Sequence, residues 1–441
     1  MCGIYFSNDK KEIKINNKFL LRGPDYFNKY NENNFSLSHS LLSLTGEFTP
    51  QPIQKNGVSL IFNGQIYNYD KIKYLSDGYF ILEEYFERGT DFWKKLDGEY
   101  AIIILDSIKN KVIFATDVFG TKPLFYSLED NVISISSLKS TLEINQIRHI
   151  VKCKPNTIYS FDFNSNKLQE SNNYFKFNLE QYKNSYDGWN EKFLDSIDKR
   201  FNNIRHDIVL PLSSGHDSGA IACAFDILNI SYFTYSIFNK EHRKVLSKRL
   251  LRRFLRSPAN TRFKKNLKSS DMKFKLTKHL EENCDSFYYG KDIDNLSING
   301  MDDPGARGLS YILKKAKKHN SNIKIVASGQ GGDEIYSTNQ DYTFDKPNPK
   351  VFDDNLSKIF PWQNFFYGTQ MSYLSKEESI GGSFGLETRY PFLDTSLVQE
   401  YLNLTPELKN CFYKAPITNF LEINNYFYTS GSNKSGFNPG S

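Results

Sequence analysis

Residues 210–225 read LPLSSGHDSGAIACAF. A continuous apolar stretch, Asp207–Leu212, runs into Ser213, Ser214, Gly215, His216, Asp217 and Ser218, and then into an apolar helical stretch, Ala220–Leu228. The order strand, tight turn, helix places backbone N–H groups and a helix N-terminus at the carboxyl end of a strand. A pyrophosphate is stabilised there, because oriented dipoles face it and small residues let it approach. Asp217 can hold the Mg²⁺ that neutralises a nucleotide. The same residues also make an ordinary strand–turn–helix connection with Asp217 as its cap. The lysine-bearing loop GxxxxGK[ST] is absent.

A second loop of the same kind follows downstream. IVASGQGGDEIYS, residues 325–337, continues an apolar strand predicted over Ile323–Ser328 and offers Gly329, Gly331 and Gly332 for close backbone approach, then Asp333 and Glu334. Mg²⁺ takes one or two carboxylates together with phosphate oxygens and water, so Asp217 and Asp333 on neighbouring strand ends can share one ion. The alternative is a glycine-rich turn with capping acids.

Around these loops, strands alternate with helices: Asp207–Leu212, Ala220–Leu228, Ser231–Phe238, a basic helix over Leu309–Lys318, then Ile323–Ser328. Alternation of this kind predicts a doubly wound parallel sheet with helices on both faces. The first 170 residues read differently. Short runs with period-two patterning, Cys2–Phe6, Ser36–Leu44, Val58–Phe62, Tyr100–Asp106, Lys111–Thr116, Leu124–Ser127 and Val132–Ser136, predict packed antiparallel sheets, with one helix near Phe80–Arg88. The expected division is a domain over 1–174, a polar linker over 175–187 and a second domain over 188–441 that opens on a helix, Gly188–Phe201. A chain of 441 residues suits two domains.

Hydrophobic residues at 39% and aromatics at 15% predict filled cores rather than a disordered chain. Apolar runs such as Ala101–Leu105 fall short of the roughly 18–20 residues a membrane helix needs. The opening MCGIYFSNDK lacks the pattern of a leader, so a cytoplasmic location is expected. Five cysteines, at 2, 153, 223, 284 and 411, are scattered and never form CxxC, which predicts reduced thiols. The net charge of +6 is uneven: residues 240–278 hold fifteen Lys and Arg against Glu241 and Asp271. That block attracts an anionic partner or is a solvated helix face, with Leu246, Leu250, Leu251 and Phe254 on the opposite, buried side. No RNA-binding signature accompanies it, so nucleic acid is not the expected partner.

Cys2 follows Met1, and removal of Met1 would leave an α-amine beside a thiol. The pair is a self-contained nucleophile and base: the amine takes the thiol proton and later gives it to a leaving amine. In FNGQIYN, Asn63 and Gly64 can present a side-chain amide and a backbone N–H as an oxyanion hole.

These residues together resemble one family across nearly the whole chain. MCGIY, LRGPD (Leu21–Asp25), FNGQIYN (Phe62–Asn68), SDG (Ser76–Gly78), GEYAIIILD (Gly98–Asp106) and TDVFGTKPLFY (Thr116–Tyr126) resemble the glutaminase half of glutamine-dependent asparagine synthetases. LSSGHDS (Leu212–Ser218), SGQGGDE (Ser328–Glu334), GLETRYPFLD (Gly385–Asp394), Lys414 and KSGFNP (Lys434–Pro439) resemble the ATP-pyrophosphatase half, in the same order. The resemblance implies an N-terminal αββα sandwich of the N-terminal-nucleophile type and a C-terminal pyrophosphate-loop domain.

It also implies two reactions, glutamine hydrolysis at Cys2 and ATP-dependent adenylation of an acceptor carboxylate, with ammonia passing between. By similarity Asn63 and Gly64 form the oxyanion hole, while Asp77 and Gln65 meet the glutamine. Leu212, Ser213, Gly215, Asp217, Ser218, Ile237 and Gly329 contact ATP, Asp217 and Asp333 bind Mg²⁺, Lys414 neutralises the leaving pyrophosphate, and Gln330 with Glu334 borders the acceptor. The departures are Leu41 for the arginine of HxRLxI, Gln65 for a glutamate, Ser214 for a glycine and Gln330 for the glutamate of SGEGxDE. The first removes a bidentate partner for a carboxylate. The last predicts an acceptor other than aspartate, small molecule or peptide. A true asparagine synthetase and an intramolecular amide-forming cyclase remain alternative readings, and a homodimer is left open.

Overall fold

The structure, a computed structural model, describes residues 1–429 except 10, 33, 240, 268–269, 291–295 and 338–351. The closing KSGFNP motif therefore lies outside the described residues, as does Lys240 of the basic block. Two compact units are present. The first comprises Met1–Lys176 with two later segments, Asn283–Phe287 and Glu378–Glu387; the second comprises Phe177–Glu282, Tyr288–Glu377 and Thr388 onward.

In the first unit the strands are β1 (Gly3–Ser7), β2 (Tyr26–Glu32), β3 (Phe35–Leu41), β4 (Ile53–Lys55), β5 (Val58–Ile66), β6 (Gly98–Asp106), β7 (Lys111–Thr116), β8 (Phe125–Glu129), β9 (Val132–Ser136), β10 (Val151–Lys152), β11 (Thr157–Asp162) and β12 (Lys167–Asn172). They form two six-stranded antiparallel sheets, ordered β10-β8-β9-β1-β3-β2 and β12-β11-β7-β6-β5-β4. The strands alternate so that Ile4, Phe6, Leu37, Ile133 and Ile135 of one sheet meet Ile61, Ile103, Leu105, Val112 and Phe114 of the other in a common core. Outside this sandwich, α1 (Asn17–Arg22) and α3 (Lys139–Ile144) lie on the first sheet and α2 (Asp77–Arg88) on the second. The layers are thus α, β, β, α, as the resemblance implied.

The second unit contains β13 (Asp207–Pro211), β14 (Phe233–Ile237), β15 (Thr261–Lys264), a small hairpin of β16 (Tyr288–Gly290) and β17 (Leu296–Asn299), β18 (Ile323–Ala327) and the edge strand β19 (Glu387–Arg389). Its main sheet runs β15-β14-β13-β18-β19, and β15, β14, β13 and β18 are parallel. From β13 the chain winds outward to β15 and then returns to the far side of β13. Right-handed crossovers therefore place α5 (His216–Ile227) and α6 (Arg243–Arg256) on one face and α8 (Pro304–His319), which follows α7 (Ser270–Asn283), on the other. The reversal point between β13 and β18 opens a crevice at the carboxyl ends of these strands. Both small-residue loops emerge there.

The buried face of α6 differs from the expected one. Val245, Leu246, Arg249, Leu250 and Arg253 point inward, whereas Leu251 and Phe254 are 59% and 51% exposed. Two guanidinium groups displace apolar side chains because each has internal partners. Arg253 lies over the Tyr232 ring, 3.7 Å from its centroid, and donates to the Tyr232 carbonyl. Among the described residues no helix is long and apolar enough to cross a membrane, and all five cysteines are free thiols.

Candidate active sites

In the first unit the thiol stands at the head of β1. Asn63 Oδ1 accepts from the Cys2 N–H at 2.7 Å, which fixes the carboxamide so that Nδ2 is buried with no hydrogen-bond partner. That orphan donor fits an oxyanion. Gly64 follows on β5 with φ +133, and a Cβ there would stand 1.9 Å from the Glu99 carbonyl oxygen, so only glycine keeps the strand in register. The Leu42 N–H donates to Cys2 Sγ at 3.5 Å. Burial pushes the thiol up, and the neighbouring terminal amine and the Leu42 N–H oppose the shift. The terminal amine, that of Met1, is itself pushed down to about 6 by burial, with Glu387 at 3.8 Å acting against it.

The cavity beside Cys2 is lined by Leu41, Leu42, Ser43, Leu44, Thr45, Glu47, Thr49, Gln51, Phe62, Gly64, Gln65, Ser76, Asp77 and Glu387. Asp77 and Gln65, named from the sequence, meet there: Gln65 Nε2 donates to Asp77 Oδ2 at 3.0 Å and the Ile66 N–H to the same oxygen at 3.1 Å. Thr45 Oγ1 donates to Gln65 Oε1. Burial raises the Asp77 carboxyl to about 7 against these donors. Arg22 and Lys122 of this unit pair with Glu378 at 3.3 and 2.9 Å, and Arg22 Nε also donates to the Cys2 carbonyl.

In the second unit a cavity of about 520 Å³ occupies the crevice. That volume is within the ligand range. Leu212, Ser213, Gly215, Asp217, Ser218, Gly329, Gln330, Asp333 and Glu334 all line it. Ile237 does not; it is buried at the end of β14. The apolar part of the cavity wall is made by Leu212, Val326 and Ile312.

Lys414 Nζ lies 2.5 Å from Asp217 Oδ1 and 2.7 Å from Asp333 Oδ1. The two acids are thus held close to each other around the Lys414 ammonium, and their hard oxygens are of the kind Mg²⁺ takes. Burial lowers the Lys414 ammonium's affinity for its proton, yet the two carboxylates win and its pKa is raised. Glycine at 332 is needed for this closeness, since a Cβ there would stand 2.3 Å from Asp217 Oδ1; a Cβ at 329 would press on Asp217 Cβ. Glu334 is pushed up by burial and by the charge of Asp333.

Sequence reasoning missed what holds the serine loop. Arg249 of α6 donates through Nη1 to the carbonyls of Ser213 at 2.7 Å and Gly215 at 2.8 Å. Ser213 and Ser218 hydroxyls bond each other at 2.8 Å, and the Ser213 and Gly215 N–H groups donate to Ser218 Oγ and Ser213 Oγ. Glu241 accepts from the Ser214 N–H at 2.6 Å and from its hydroxyl. The replacement serine therefore has a specific partner, and a carboxylate sits on a loop amide. The only advance signal was an arginine on the apolar side of a basic helix.

Comparison with known proteins adds to this geometry. Residues 1–177 match the model of a glutamine amidotransferase domain. The chain is 25% identical over 414 residues to a putative glutamine-hydrolyzing asparagine synthetase of Methanocaldococcus jannaschii, spanning 85% of this chain and 70% of that one. It is 24% identical to the rat asparagine synthetase, over 93% and 78%, and 23% identical to asparagine synthetase B of Escherichia coli, over 91% and 73%. Among solved structures, glutamine phosphoribosylpyrophosphate amidotransferase of B. subtilis aligns with a TM-score of 0.27 and 17% identity, over 45% of this chain and 51% of that one.

Proposed function

We propose that the chain, like the glutamine-hydrolyzing asparagine synthetases to which it is similar, takes nitrogen from a carboxamide at Cys2 and transfers it to a carboxylate that ATP has activated. With Met1 removed, the Cys2 amine accepts the thiol proton and Sγ attacks the carboxamide carbon. The new oxyanion faces Asn63 Nδ2 and Gly64. Collapse breaks the C–N bond, the Cys2 ammonium returns its proton, and ammonia leaves a thioester that water hydrolyses to the free acid and thiol.

In the second unit an acceptor carboxylate oxygen attacks the α-phosphorus of ATP and releases pyrophosphate. Ammonia then attacks the acyl carbon of the adenylate, giving the amide and AMP. Ser213, Gly215 and Ser218 bind the phosphates, and Lys414 offsets charge building on the pyrophosphate. Asp217 and Asp333 would hold Mg²⁺, which supplies positive charge against the phosphate oxygens. Gln330, a neutral amide beside Glu334, favours an acceptor other than aspartate.

The observation that carries this reading is the convergence of Asp217, Asp333 and Lys414 beside the serine loop. The test is to incubate the protein with ATP, ammonium chloride and a panel of carboxylic acids that includes aspartate, sugar acids and peptides. AMP and an amide product, identified by mass spectrometry, are expected with one member. ADP as the nucleotide product would refute the adenylation step, and a preference for aspartate would refute the acceptor argument.

A further inference from the structure

We propose that the carboxamide donor at Cys2 is glutamine whose α-carboxyl is blocked, as an amide or peptide bond, and not the free amino acid. This rests on the reading of Cys2 as the amide-hydrolysing nucleophile. It is argued from the charges around the cavity. Three carboxylates, Glu47, Asp77 and Glu387, line it, and among the described residues no Lys, Arg or His does. Free glutamine carries a carboxylate whose desolvation must be offset by a cation or by several donors. Here Leu41, Leu42 and Leu44 make the wall aliphatic apart from the neutral hydroxyls of Ser43, Thr45, Thr49 and Ser76, and the buried cations of this unit, Arg22 and Lys122, are already tied to Glu378.

The opposite end of such a donor is well served. Asp77, held by Gln65 Nε2 and the Ile66 N–H, is a ready acceptor for an α-ammonium. The side-chain amide carbon faces the thiol and the orphan Asn63 Nδ2. A donor with a carboxamide, an ammonium and no free carboxylate therefore adds no anion to this acidic wall, whereas the zwitterion sets one against leucines among acids. Neither the reaction nor its atom balance changes: the same C–N bond breaks and the product is the blocked glutamate.

The experiment measures ammonia release by the full chain from L-glutamine, from L-glutamine amidated at its α-carboxyl, and from the dipeptide Gln-Gly. The two blocked compounds distinguish a small amide from a peptide-borne donor. At least tenfold higher kcat/KM for one of them than for glutamine is expected. Leu41→Arg should raise kcat/KM for glutamine at least tenfold and lower it for the blocked donors. Equal or better use of glutamine by the unaltered protein overturns the proposal, even should the variant fail to fold. So does a lack of ammonia from all three compounds. ATP conversion to AMP supported by ammonium chloride reports separately on the ligase reading: its failure beside active release of ammonia from a blocked donor would leave this inference standing and remove the other.

Discussion

Lys414 stands between Asp217 and Asp333 in the second unit, whereas Glu47, Asp77 and Glu387 share a cavity wall in the first with no basic side chain among them. Both places gather acids, and they manage the charge differently. In the second, a buried ammonium matches the carboxylates and Arg249 fixes the neighbouring loop by its carbonyls. In the first, charge is reduced by protonation, with Asp77 raised to about 7 by burial. On the proposed reading, the contrast suits polyanion chemistry at one site and a cationic or neutral guest at the other.

Removing the nucleophile separates the two most sharply. Cys2→Ala should lower ammonia release by about 10⁴-fold or more and leave AMP formation with ammonium chloride unchanged; loss of both would mean that the sites are not independent. Asp217→Asn removes half of the charge match around Lys414 and should lower AMP formation by about 10²–10³-fold, with ammonia release intact. Arg249→Met frees the Ser213 and Gly215 carbonyls and should raise the KM for ATP about tenfold, roughly 1.4 kcal/mol, while Arg249→Lys recovers part of it; an unchanged KM would show that the loop holds itself. The smallest effect is a slope. Donor binding through an ammonium requires ionised Asp77, so KM should fall as pH rises through about 7, and Asp77→Asn should flatten that limb.

Much of this was legible in advance because interior strands carry their own signal. Lys111–Thr116 and Val132–Ser136 were read with the bounds they have, and Tyr100–Asp106 missed only two residues. Among the strands that escaped notice, Tyr26–Glu32 and Lys167–Asn172 lie at sheet edges, where polar residues guard against further pairing and erase the apolar period, whereas Thr157–Asp162 is interior. The serine loop and the second glycine loop were found because both backbone freedom and charge are written locally. Glu387 and Glu378 were not, since they reach the first unit from more than 350 residues beyond Arg22. Arg249 was hidden for another reason: hydrophobic periodicity assigns an inward position to an apolar residue, and its value lies in two carbonyl oxygens that only the folded loop presents.

The placement of Lys414 has a bearing on folding. Many ion-binding domains owe their stability to the ion, because bare carboxylates repel once the ligand is stripped away. Here an amino group of the chain already occupies the point on which both acids converge, so the scaffold needs no divalent ion to keep its shape. A chelator should silence this half of the protein while its melting temperature stays where it was.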